Sequence, residues 1–128
     1  MRYLALDVGD RTIGLAVGEE TFGLARPLRT IRRRGVAADL ETLRAIVAKE
    51  DIGAIVIGLP LDTRGEIGHQ ATRVRAFAES ARTLGLPTEL VDERFTTAEA
   101  ARRGADDLDA GAAVVLLEDF FSERHRLG

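Results

Sequence analysis

Three acidic positions, far apart along the chain, stand where lone carboxylates would be costly. Asp7 ends the apolar run Tyr3-Leu4-Ala5-Leu6 and leads into Val8-Gly9-Asp10-Arg11-Thr12-Ile13-Gly14. An ionised carboxylate at the end of a buried strand needs a partner, so something cationic belongs beside it. Asp92-Glu93-Arg94 follows the strand-like segment Thr88 to Val91, and Asp109 opens an Ala/Val/Leu-rich helical stretch. Converging, these acids would form an all-oxygen site suited to magnesium or manganese. Two such ions about 3.5–4 Å apart can activate a water, neutralise a phosphate and stabilise a leaving oxygen, which is the chemistry of phosphodiester hydrolysis. On this reading Asp7 bridges both ions, while Glu93 and Asp109 each hold one. Side chains at successive strand positions leave opposite faces, so one of Asp92 and Glu93 reaches the metals; we take Glu93, although alternation alone does not decide between them. Without cations the three carboxylates repel and titrate as a coupled set.

Each acid also has a structural reading. Asp7 could cap the Gly9 turn through local backbone hydrogen bonds, and Asp109 could be a first-turn helix acid suited to the macrodipole. Against the second, Asp109 shares a helical face with Ala113, Leu116 and Phe120, buried residue types that would turn its carboxylate inward. Around the acids, Arg11 and Arg94 could hold a phosphate or form structural ion pairs. Thr96 fits a helix cap, leaving Thr97 as the freer hydroxyl. The runs Arg32-Arg33-Arg34, Arg102-Arg103 and Arg124-His125-Arg126 read either as a phosphate-binding track or as solvated segments. His69 either assists proton transfer or is simply exposed. With few aromatic residues, base stacking is a poor route to binding.

The elements that must position these groups are legible in the periodicity. Tyr3 to Val8, Thr12 to Val17 and Phe22 to Ile31 read as three antiparallel strands. Leu40, Leu43, Ile46 and Val47 recur at helical spacing between Gly35 and Asp51, and Ala54-Ile55-Val56-Ile57 is a buried strand ending at Gly58-Leu59-Pro60. Val74, Phe77, Ala78, Ala81 and Leu84 mark a second helix that stops at Gly85, and Pro87 to Val91 reads as another strand. Thr96 and Glu99 have capping-box spacing, which predicts a short helix, and a final helix runs from about Asp109 into the Ser122 to Arg126 tail. The polar segment Asp62 to Glu66 reads as a loop. Strand–helix alternation after an antiparallel meander predicts an α/β fold with a ribonuclease H-like mixed five-stranded sheet flanked by helices.

At 128 residues the chain fits one domain, residues 1–128. It has no cysteine, which removes disulfides and thiolate metal sites and is compatible with a reducing, cytoplasmic setting. No long apolar span or leader is legible, so no membrane association is expected. A net charge of −3 argues against a broad nucleic-acid footprint while allowing local phosphate contacts. Lys49 is the sole lysine, so basic chemistry here is arginine chemistry.

Four blocks then carry a resemblance: Asp7-Val8-Gly9 with Arg11 and Gly14; Gly58-Leu59-Pro60; Asp92-Glu93-Arg94-Phe95-Thr96-Thr97; and Asp109-Ala110 with Ala112-Ala113. In order and extent they resemble the YqgF/RuvX family. The resemblance implies a ribonuclease H-like fold, classification as a Holliday junction resolvase and a role in maturing the 5′ end of pre-16S ribosomal RNA. One departure stands out. Where the family usually has a basic, often lysine-bearing loop before the last helix, this chain has the short, largely acidic Arg102-Arg103-Gly104-Ala105-Asp106-Asp107-Leu108. Substrate grip would then fall on Arg102 and Arg103, beside Arg11, Arg94 and Thr97. Pre-rRNA and branched DNA both remain open as substrates. Resolving a two-fold symmetric junction would favour a homodimer, but no segment marks a dimer face. Two other classes compete with the endonuclease: a nucleotide-binding ATPase built on Asp-x-Gly-x-x-x-x-Gly, and a non-catalytic RNA-binding ribosome-assembly module.

Overall fold

The computed structural model describes residues 1–59, 68–92 and 108–127, with the side chains at 69, 108, 109 and 127 outside that description. Strands β1 (Arg2–Val8), β2 (Thr12–Glu19) and β3 (Leu24–Arg32) are followed by helix α1 (Val36–Glu50), strand β4 (Ala54–Leu59), helix α2 (His69–Ala81), strand β5 (Thr88–Asp92) and helix α3 (Leu108–Leu127). The strands form one sheet in the order β3-β2-β1-β4-β5. Tight connections can only return a strand antiparallel, whereas the longer crossovers containing α1 and α2 bring β4 and β5 in parallel. The mixed five-stranded sheet expected from the periodicity is therefore the sheet that forms, with β1 at its centre.

Period-two alternation divides β1 between two cores. Leu4, Leu6 and Val8 join Ile13, Leu15, Ile55 and Ile57 in packing against Leu43 and Ile46 of α1 and Val74 and Phe77 of α2. Tyr3 and Ala5 join Ala16 and Val56 beneath Ala113, Leu116, Leu117, Phe120 and Phe121 of α3. Asp7 continues the second series, so its position belongs to the α3 face of the sheet.

Helix α3 is anchored at the far end of that face. The Tyr3 ring lies 5.4 Å from those of both Phe120 and Phe121, Glu118 Oε2 accepts the Ala25 backbone N–H at 3.0 Å, and Arg124 pairs with Glu20 at 2.8 Å. From there the helix runs back along the sheet towards the Asp7 end, over Ala5 and Ala16. The interposed layer thus changes from aromatic rings at one end to alanines at the other.

The third strand begins later than expected. Glu19 O accepts the N–H groups of Phe22 and Gly23, and Gly23 takes a φ of 68°, so Phe22 lies in the hairpin turn and is exposed. A β-bulge between Leu15 and Ala16 shifts the register of the β2–β3 pair. Helix α2 passes through a 3₁₀ turn, Arg82–Leu84, into Gly85 at φ 82°, where the sequence placed its stop. The short helix expected from Thr96 and the loop 62–66 lie outside the described residues. Among the described residues, no helix is long and apolar enough to cross a membrane.

Candidate active site

Asp7 is the penultimate residue of the central strand and is half-buried. Its partner across the β1–β2 ladder is Gly14. On the other side the β1–β4 ladder ends at Leu6–Ile57, leaving Gly58 as the next β4 residue alongside. The carboxylate therefore rises from the sheet between two positions without side chains, on the face that α3 covers.

Helix length then decides what lies over it. From Phe121, beside Tyr3, back to Asp109 is about 18 Å of helix, and from Tyr3 to Asp7 is about 13 Å of strand. The first turn of α3 thus reaches the level of Asp7 or slightly past it, and its N-terminal end turns the positive end of the helix dipole to that side of the sheet. Asp109 lies in this turn, with its side chain outside the description. The expected companions Ala113, Leu116 and Phe120 are buried against the sheet.

Strand β5 ends at the same edge. Asp92 pairs in register with Leu59, and Val91 with Gly58. Val91 packs with the α3 core and Leu59 with the α1/α2 core, so alternation assigns Asp92 to the face opposite Asp7. Glu93, Arg94, Thr97, Arg102 and Arg103 lie outside the described residues. Of the three expected ligands, only the Asp7 side chain is described, and among the described residues no three acidic or histidine side chains gather as a metal site.

The turn after Asp7 is tightly held. Gly9 N–H donates to Thr12 O at 2.8 Å, and Arg33 N–H donates to Arg11 O at 2.8 Å. Arg33 also places its guanidinium beneath the turn, where Nη1 donates to Gly9 O at 3.0 Å and Nε meets Asp39 Oδ2 at 3.2 Å. Asp39 is only 2% exposed; its other oxygen accepts Arg34 N–H at 2.9 Å. The Arg33 guanidinium lies 5.1 Å from the centre of the Phe77 ring. Asp10 is tied to α2 through Arg73 at 2.8 Å. Arg33 is thus neither a solvated nor a phosphate-facing member of its run. The signal for this role was present and missed: Asp39, Leu43 and Ile46 share the buried stripe of α1, and an acid on such a stripe calls for a cation.

The arginines divide by location. At the end remote from Asp7, Arg2 pairs with Glu19 and Glu50, Arg26 with Glu50, and Arg124 with Glu20. At the Asp7 end, Arg11, Arg32 and Arg34 are exposed, and none of them makes an ion pair among the described residues. Arg32 pairs with Thr12 in the β2–β3 ladder, one step outward from Gly14 and Asp7 and, by a two-residue period, on the same face. The open apolar hollow bounded by Val17, Phe22, Leu24 and Ala25 lies at the opposite end of the sheet and belongs to none of this.

Comparison with known proteins extends over nearly the whole chain. A family model described as RuvX, Holliday junction resolvase, matches residues 1–123. A relative from Anaeromyxobacter sp., named "Putative pre-16S rRNA nuclease", is 42% identical over 98% of this chain and 99% of its own. A relative of the same name from Thermus thermophilus is 43% identical over 95% and 98%. Among solved structures, T. thermophilus RuvC in complex with a Holliday junction substrate superposes with a TM-score of 0.63 at 15% identity, covering 98% of this chain and 96% of that one. At that identity the likeness speaks for the fold alone.

Proposed function

The chain belongs to the RuvX family, and from that premise we propose that it is a nuclease hydrolysing phosphodiester bonds in structured nucleic acid, with Asp7, Glu93 and Asp109 as its catalytic carboxylates. The observation that carries the reading is Asp7 itself: a carboxylate at the end of the central strand, flanked by Gly14 and Gly58, on the face towards which the first turn of α3 is directed. Its neighbours on either side in the sheet, Gly14 and Gly58, carry no side chain that would crowd ligands around this half-buried acid.

The proposed donor set is all oxygen, in a chain with no cysteine, and fits magnesium or manganese held by Asp7, Glu93 and Asp109. Bound there, the ions would supply charge neutralisation and a more acidic water. The protein's own contribution is to hold acids from separate segments at fixed spacing and to present cationic side chains to the flanking phosphates. Arg11, exposed and without an ion pair among the described residues, suits the second task. Arg94, Thr97, Arg102 and Arg103 complete the proposed substrate contacts. Facing Leu59 in the ladder, Asp92 is the less suited of the two adjacent acids, which supports the choice of Glu93.

The relatives named for pre-16S rRNA and the neighbour bound to a Holliday junction set the two substrates to compare. Purified protein is incubated with precursor 16S rRNA and with a four-way DNA junction, each with magnesium, manganese or chelator. Cleavage of either that requires a divalent ion is the expected result. Binding without cleavage under every condition would replace the nuclease with an RNA-binding module.

A further inference from the structure

The Arg33–Asp39 pair lies outside the proposed acid triad, yet it grips the segment that connects Asp7 to the rest of the molecule. Three contacts converge on Arg33 from separate elements: the Gly9 carbonyl of the β1–β2 turn at 3.0 Å, the buried carboxylate of Asp39 on α1 at 3.2 Å, and the face of Phe77 on α2 at 5.1 Å. Its backbone N–H holds Arg11 O, at the other end of the same turn. A surface arginine needs no buried counter-charge, and a buried pair costs desolvation that apolar residues would avoid. Packing of α1 alone does not call for a charge at this position, and the second Asp39 oxygen, which accepts Arg34 N–H, does not reach the turn. What an apolar residue could not do is orient a guanidinium at the Gly9 carbonyl, because a planar fork held at Nε by a carboxylate leaves its Nη donors in a fixed direction.

We propose that Arg33 is a positioning residue: held by Asp39, it locks the β1–β2 turn and thereby sets the position of the Asp7 carboxylate two residues before Gly9. The inference rests on the reading of Asp7 as catalytic. Releasing the latch frees the turn to shift, and small displacements of a reacting group are expensive for turnover. Arg33 contacts no substrate in this scheme, so its loss acts on kcat and leaves KM nearly unchanged.

The test uses the full chain and whichever of the two nucleic acids the wild type cleaves, with manganese, below the unfolding temperature of every variant. Arg33→Met is expected to lower kcat about tenfold to a hundredfold with KM within about twofold, and Arg33→Lys to restore part of the loss. Because Arg33→Met strands a buried carboxylate, the neutral double variant Arg33→Met with Asp39→Asn keeps the experiment decisive. It should recover thermal stability without recovering kcat. If kcat returns together with stability in the double variant, Arg33 is only structural and the proposal is overturned. A loss confined to KM also overturns it, since that marks a phosphate contact. A wild type inert on both substrates defeats the nuclease reading itself, whereas equal cleavage by wild type and variants defeats the latch alone.

Discussion

Gly18 sits in β2 directly beneath α3, and replacing it tests whether the helix is seated as described. A Cβ built there would lie 2.7 Å from Leu24 O, 3.0 Å from Phe121 Cε2 and 3.1 Å from Leu117 Cδ2. Ordinary carbon contacts lie at about 3.5–4.0 Å, so Gly18→Ala requires about 0.5 Å of retreat on two sides at once. The carbonyl belongs to the backbone of the neighbouring strand, and Phe121 and Leu117 are fully buried, so neither side yields easily. Overpacking of this kind costs about 1–3 kcal/mol, and a rigid backbone neighbour puts this site at the upper end. Removing glycine from a strand returns up to about 1 kcal/mol, leaving a net loss of about 2 kcal/mol. With about 2.1 cal/mol/K of unfolding entropy per residue over 128 residues, that is a fall in Tm of about 7 °C. Thermal unfolding followed by circular dichroism reads it directly. The pair Gly18→Ala with Phe121→Leu should lose less than the sum of its parts, because the smaller side chain relieves one of the three contacts. A Tm within about 2 °C of wild type for Gly18→Ala would refute the packing of α3 on β2, and with it the argument that brings Asp109 over Asp7.

Other perturbations follow from the same geometry. Asp7→Asn, isosteric and without charge, should abolish cleavage while leaving the unfolding curve and nucleic-acid affinity unchanged or improved; retained cleavage removes Asp7 from the chemistry. Replacing Arg102 and Arg103 together by Ala should weaken binding and make log K against log salt shallower by about one unit per lost phosphate contact; an unchanged slope rejects them as contacts. Burial, with the nearby Glu20 carboxylate, pushes the Tyr3 phenol above the ordinary range. The folded state therefore prefers the protonated ring, so this contribution is intact below about pH 10 and is lost as pH rises through the folded value. Tyr3 is the only tyrosine in a chain without tryptophan, so phenolate absorbance reports it alone. A midpoint at the ordinary value in folded protein would contradict the burial, and Tyr3→Phe should remove the alkaline loss.

How far the sequence was legible depended on whether a residue's requirement was local. Asp7 declared itself because an acid closed an apolar strand. The final helix did so because its apolar positions follow a helical face, and the change from antiparallel to parallel pairing followed from the strand–helix alternation. Asp39 obeyed the same logic as Asp7 on a helical stripe but was obscured by the arginine run beside it, where three adjacent guanidinium groups hid one that turns inward. The β3 start was misplaced because Phe22 has a strand-forming side chain, whereas the turn is set by the positive φ of Gly23. Pairing Asp92 with Leu59 is a fact of register, which periodicity cannot supply.

The uneven pairing of the arginines has a kinetic consequence. Where Arg2, Arg26 and Arg124 are matched by glutamates, the field seen from a distance nearly cancels; Arg11, Arg32 and Arg34 have no such match among the described residues. With the acids at that end neutralised by divalent ions, a polyanion coming within a Debye length, about 8 Å in physiological salt, would meet a molecule that is repulsive overall yet presents these arginines at one pole. Such a field exerts a torque before contact, turning the protein so that the Asp7 pole leads. Encounter would then be anisotropic, and its rate would fall with added salt, as for a cationic protein, although the chain as a whole is an anion.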